Sequence, residues 1–97
     1  MNANIENQIR KNIYRREGFA CAICDNTKHL QIHHVIPRSQ GGRGTPHNLV
    51  CLCMKCHALV HGTYAYPAGY ITQEDAIQAI TEYLADLYAP EWNPWSR

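Results

Sequence analysis

Asn48-Leu49-Val50-Cys51-Leu52-Cys53-Met54-Lys55-Cys56-His57, continued to His61, is the stretch that decides how this chain is organised. Cys53 and Cys56 form a C-x-x-C pair, and Cys21-Ala22-Ile23-Cys24 forms another, with 28 residues between the two. A two-residue gap lets two thiolates turn toward one ion from a single tight turn, and two such turns complete the tetrahedron that zinc accepts. Cys21, Cys24, Cys53 and Cys56 are therefore expected to share one structural Zn²⁺. A redox C-x-x-C would normally sit in a βαβ setting, which the pattern does not offer. Cys51 is the odd cysteine of five, which argues against a closed disulfide framework. Its place inside an apolar strand reads as a small buried hydrophobe. Structural zinc in finger peptides is worth roughly 10–16 kcal/mol, against about 5–15 kcal/mol for the whole stability of a domain. Metal is thus expected to decide whether the chain folds.

Working outward, Leu30, Ile32 and Val35 frame a strand through His33 and His34, and Leu49, Val50 and Leu52 make a second one. Pro37 to Pro46, with Gly41, Gly42 and Gly44 inside it, is loop by composition. Cys56 to His61 reads as a short helix. Toward the N-terminus, Ile5, Ile9 and Ile13 recur every four residues, predicting a helix from about Asn4 to Arg16 that stops near Gly18. Phe19 to Cys24 then forms a cysteine knuckle. Toward the C-terminus, Gly62 to Gly69 is a linker, Thr72 an N-cap, and Glu74 and Asp75 sit in the positive first turn that follows. Ile77, Ile80, Leu84 and Leu87 repeat at three and four, so a helix is expected over about 73–88, ended by Pro90. Trp92 and Trp95 read as packing anchors. There is no internal repeat, and 97 residues leave room for one domain.

Net charge is only +1, yet it is unevenly spread. Residues 1–62 hold eight Lys/Arg (Arg10, Lys11, Arg15, Arg16, Lys28, Arg38, Arg43 and Lys55) against Glu6, Glu17 and Asp25, while 63–97 hold Arg97 against five acids. A basic front on a nearly neutral chain suffices for salt-sensitive contact with phosphates. The polar N-terminal stretch lacks the apolar core of a secretion signal, and no run is long enough to span a bilayer. A reducing, cytoplasmic setting is expected, where thiols stay available to metal.

Six histidines stand in the chain. His57 and His61, four apart on the expected helix, share a face and can share a metal. His33 and His34, adjacent on a strand, point to opposite sides, so only one of them can join that ion in the same way. His29 and His47 read as ordinary surface residues. The run His33-His34-Val35-Ile36-Pro37, then Gly41-Gly42, then Asn48 through His57 with His61 beyond, resembles the HNH endonuclease motif. The match is best to the C-x-x-C-bearing branch common in phages and bacteria, and it covers Cys21 to His61, somewhat under half the chain.

The resemblance implies a small α+β fold: a ββα-metal core over about 19–62, stapled by the four-cysteine zinc site and flanked by the helices at about 4–16 and 73–88. It implies that His34 is the general base and that Asn48 pins the hairpin and the base by hydrogen bonding. His33, His57 and His61 would hold one catalytic divalent ion, whether Mg²⁺, Mn²⁺, Zn²⁺ or Ni²⁺. Many members have Asp where His33 stands; His is also found there, as in colicin-type DNases, and a neutral ligand leaves the site more positive. An imidazole titrates near about 6.5, so at pH 7 it is mostly neutral and can take a proton from an attacking water. Family members typically leave a 5′-phosphate and a 3′-hydroxyl. The partner implied is double-stranded DNA, bound through its phosphates, with Arg38 or Arg43 in the Gly-rich loop as phosphate contacts. With no evident dimerisation element and two apolar helix faces able to satisfy each other, a nicking monomer is expected. A non-catalytic zinc module that only binds nucleic acid is the alternative, and it leaves the histidines and Asn48 without a role. A zinc deaminase would need an H-x-E signature, which is absent.

Overall fold

Every residue of Leu49–Cys53 is buried, and the computed structural model, which describes residues 5–96, is assembled around that strand. It is β2; its partner β1 spans Leu30–His34 and runs antiparallel, with Ile32 opposite Cys51 and His33 opposite Val50. Side chains alternate along a strand, so β2 buries two different faces. Leu49 and Cys51 pack with Ile5, Ile9 and Ile13. Ile9 and Ile13 belong to α1 (Asn7–Arg16). Val50 and Leu52 pack with Leu59 and Val60 of α2 (Met54–Val60) and with Ala76, Ile80 and Leu84 of α3 (Gln73–Leu87). The two flanking helices therefore cover opposite faces of one hairpin instead of packing on each other. Asn4, the expected start of the first helix, lies outside the described residues, as does Arg97.

A two-stranded sheet leaves each strand one unpaired edge. On β2 that edge is closed by a half-buried ion pair at the end of α1. Arg16 meets Glu17 through two bonds, Nε–Oε1 at 2.6 Å and Nη2–Oε2 at 2.9 Å. Arg16 also donates to the Leu49 carbonyl, Glu17 accepts from the Cys51 amide, and the Ala22 amide donates to the Cys51 carbonyl. From the far side, the Tyr88 hydroxyl accepts from Arg16 and the Tyr83 hydroxyl donates to Glu17. Arg16 is thus part of the scaffold and is withdrawn from the basic front to which its charge had assigned it.

The expected helices and strands appear with local changes, but Trp95, read as a packing anchor, is exposed. Thr72 caps α3 in a reciprocal capping box with Asp75. Of the apolar stripe on α3, Ile80 and Leu84 are buried with Ala76, whereas Ile77 and Leu87 are exposed because the helix touches its neighbours along a narrow seam. The loop between the strands contains two 3-10 turns, Arg38–Gln40 and Pro46–Asn48. Gly42 has no alternative there, since a Cβ would lie 1.7 Å from the Ile36 carbonyl oxygen. The chain's end folds back over this loop: Trp92 donates to the His47 carbonyl, the Tyr88 ring lies 4.0 Å from that of His47, and Thr45 donates to the Ser96 carbonyl. His47 is therefore a half-buried packing residue and not a surface one; His29 is exposed.

Candidate active site

The first C-x-x-C turns tightly because the Cys21 amide donates to the Asn26 carbonyl and the Asp25 amide returns to the Cys21 carbonyl. The Ala22–Cys51 bond docks this knuckle on β2, and the second pair straddles the junction of β2 and α2. The sulfurs of Cys21, Cys24, Cys53 and Cys56 lie within 4.8 Å of one another, and all but Cys24 are buried. Burial raises the Cys24 and Cys56 thiols above their ordinary value. Burial acts the same way on Cys53, but the Cys56 amide and the neighbouring thiols outweigh it and leave that thiol below. Four clustered sulfurs, with the Cys53 thiolate favoured and those of Cys24 and Cys56 opposed by burial, fit a cation that compensates the remaining charge. The cluster is suited to a structural metal, and the antiparallel hairpin is not the βαβ setting of a redox pair. Cys51 lies apart in the α1 face, its thiol pushed up to about 12 chiefly by burial, and is inert.

The histidines gather by two periodicities. Strand alternation turns His33 toward α2, and one helical turn brings His57 and His61 to meet it. Their ligand nitrogens lie within 4.8 Å of one another. The ring centroids are 5.2 Å apart for His33–His57 and His33–His61 and 4.7 Å for His57–His61. Burial, then the charges of His57 and His61, lowers His33 to about 3; burial followed by His61 also lowers His57. Both rings are held neutral, the form that ligates metal. Among the described residues, His33 Nδ1 is buried with no hydrogen-bond partner. A buried nitrogen so placed calls for a partner, and a shared cation fits. On the outer side, His57 Nδ1 meets Gln31 Oε1 at 2.5 Å.

His34 faces the other way. It lines a cleft of about 310 Å³ together with Ile32, His57, His61, Arg10 and Arg38. His33 instead borders a smaller apolar cavity of about 140 Å³ with Val60 and Ile80, and His61 stands between the two spaces. Asn48 is fully buried and ties the loop together: its Oδ1 accepts from the Ile36 amide at 2.7 Å and its Nδ2 donates to the Ile36 and Arg43 carbonyls. Arg38 lines the cleft; Arg43 is not among the described residues that line it. Arg10 and Gln31 were not singled out in the sequence. Gln31 stands two residues from His33 on one strand, a signal that was available. Arg10 was expected only as one charge of the basic front, because its place on the cleft depends on where α1 docks.

A family model described as HNH endonuclease matches residues 21–63, the segment that supplies both clusters. The chain belongs to the HNH endonuclease family. Within it, this HNH chain is 49% identical over 37 residues to the type IV methyl-directed restriction enzyme EcoKMcrA of Escherichia coli (strain K12), covering 38% of this chain and 13% of that enzyme. It is 32% identical over 55 residues to anaredoxin of Nostoc sp. (strain PCC 7120), covering 56% of this chain and 72% of that one. The type IV phosphorothioation-dependent restriction endonuclease ScoMcrA has a similar fold, with a TM-score of 0.55 and 22% identity over 86% of this chain and 17% of its own. The HNH chain therefore spans only a small part of the two restriction enzymes. Among the described residues no helix is long and apolar enough to cross a membrane.

Proposed function

We propose that this chain is a metal-dependent endonuclease domain that hydrolyses one phosphodiester bond of double-stranded DNA per encounter. The observation that carries the reading is the division of two adjacent histidines. His33 turns into the His57–His61 cluster, while His34 turns into the cleft that His57 and His61 also line. A ligand set and a proton acceptor are thereby held side by side by the pleat of one strand. When bound by His33, His57 and His61, a divalent ion supplies Lewis-acid stabilisation of the charge that builds on the phosphate and the departing oxygen. His34 takes the proton of the attacking water, a contribution of about 10²–10⁴-fold when a positioned side chain makes it. Asn48 fixes the backbone directly after His34, since its carbonyl accepts from Val35 and its side chain brackets Ile36. Arg10 and Arg38 set two guanidinium groups on the cleft, suited to phosphate oxygens. The four cysteines hold a structural zinc.

The two relatives named as restriction enzymes support a nuclease. The modification dependence in their names is not carried over, because this chain spans 13% and 17% of them. One base and one ion attack one strand at a time, and cutting both strands in one encounter would need two sites related by a two-fold. A monomer should therefore nick. Supercoiled plasmid with Mg²⁺ or Mn²⁺ is expected to become open circle first, with linear DNA later and no reaction in chelator, and light scattering should give the mass of one chain. Linear product without an open-circle precursor would refute the nicking monomer. DNA binding with no cleavage under any divalent ion would leave only the zinc-binding module.

A further inference from the structure

Gln31 belongs to neither cluster, yet its side chain meets the outer nitrogen of His57, one of the three clustered histidines. Gln31 and His33 are two apart on β1, so the pleat puts both on the α2 side. There Gln31 Oε1 meets His57 Nδ1 at 2.5 Å, while His57 lies within ligand distance of His33 and His61. A neutral imidazole has one N–H and one lone pair, and which nitrogen carries which is set by the partner of the other. A carboxamide oxygen only accepts, so the bond requires the His57 proton on Nδ1. That leaves the lone pair on Nε2, the nitrogen still open to the cluster.

We infer that Gln31 is a positioning residue of the metal centre, fixing His57 as the Nδ1–H tautomer so that Nε2 is presented to a divalent ion. The inference rests on the metal-centre reading above and adds to it a residue that acts through His57 and is not itself one of the ligands. Outer partners of this kind orient the ring and raise its basicity, and removing them typically weakens metal affinity about 10–100-fold. Since Gln31 is exposed, its replacement should not disturb the core. A purely structural role, docking α2 on β1, would change stability without setting a tautomer.

The test uses the full chain with zinc in its cysteine cluster. Ni²⁺ is titrated calorimetrically into wild type, Gln31→Ala and Gln31→Glu, and ring ¹⁵N shifts of His57 are read in the Ni²⁺-free proteins. Expected are a wild-type proton on Nδ1, a mixture of tautomers and about 10–100-fold weaker Ni²⁺ binding in Gln31→Ala, and restored affinity in Gln31→Glu, whose carboxylate accepts the same proton. Unchanged affinity in Gln31→Ala, or a wild-type proton on Nε2, would overturn the inference alone. Failure of the wild-type protein to take up Ni²⁺ would overturn the metal-centre reading and this inference with it.

Discussion

Helix α2 serves two clusters that meet solvent in opposite ways. Cys56, in its first turn, is wholly buried and joins three other cysteines of which only Cys24 is exposed. His57, the next residue and a rotation of about 100° away, is half-buried, and the set it joins runs from buried His33 to exposed His61. Closed all-protein coordination is how metal holds a fold together, whereas a site that works on a substrate keeps a position open to it. Adjacent residues of a seven-residue helix thus belong to clusters of opposite exposure, and the difference lies in what covers them. Core packing from α3 and β2 covers Cys56; a cleft opens beside His57 and His61.

The strongest way to break this contrast is to remove a cysteine. Cys56→Ser should lose the zinc and with it the fold, since the ion's roughly 10–16 kcal/mol matches or exceeds the about 5–15 kcal/mol by which a domain is stable. Zinc per chain and the thermal midpoint are the measurements, and a variant that kept both would show the closed cluster to be dispensable. His34→Ala should do the reverse: cleavage falls about 10²–10⁴-fold, while the midpoint, the zinc and the uptake of a second ion by His33, His57 and His61 stay as in the wild type. Full activity in that protein would remove the base from the cleft.

The smallest change supplies the control. Thr72→Ala removes the cap of α3, which packs on the hairpin without reaching into either ligand set, and should lower stability by about 1 kcal/mol with neither ion selectively lost. The capping box also has a pH signature. The Thr72 backbone N–H, then its hydroxyl, holds the Asp75 carboxyl below its ordinary value. A carboxyl depressed in the folded state contributes above its unfolded pKa, near about 3.9, and loses that contribution as pH falls through the lower folded value. The difference in midpoint between wild type and Asp75→Asn, which keeps the Thr72 hydroxyl, should therefore be constant above about pH 5 and shrink below about pH 4. A difference that stayed unchanged into acid would show that the carboxylate charge adds nothing to the cap.

Much of this was legible in the chain because it is set by local geometry. A C-x-x-C turn brings two sulfurs together wherever it is placed, a four-residue spacing puts His57 and His61 on one side of a helix, and a strand must send His33 and His34 opposite ways. Those three constraints brought together both side-chain clusters and set His33 apart from His34 on the cleft. Burial was less legible where it depends on a partner element. The stripe Ile77, Ile80, Leu84, Leu87 has helical spacing throughout, but only its middle meets the core. His47 looked like a surface residue because nothing local predicts that Tyr88 and Trp92 return to it across some 40 positions.

What the sequence determined by itself was therefore the inventory and its pairing: four sulfurs, three imidazoles, an amide at position 48, and the strands and helices that carry them. Tertiary structure decided which charges remain for function. Arg10 and Arg16 look alike on one amphipathic helix, yet docking α1 against Leu49 and Cys51 sends Arg10 to the cleft and packs Arg16 with Glu17 along the edge of β2. The physical reason is that periodicity fixes the direction of a side chain relative to its own element. What lies in that direction depends on contacts between residues far apart in the chain, and a two-stranded sheet with an open edge had to recruit one of those charges to close it.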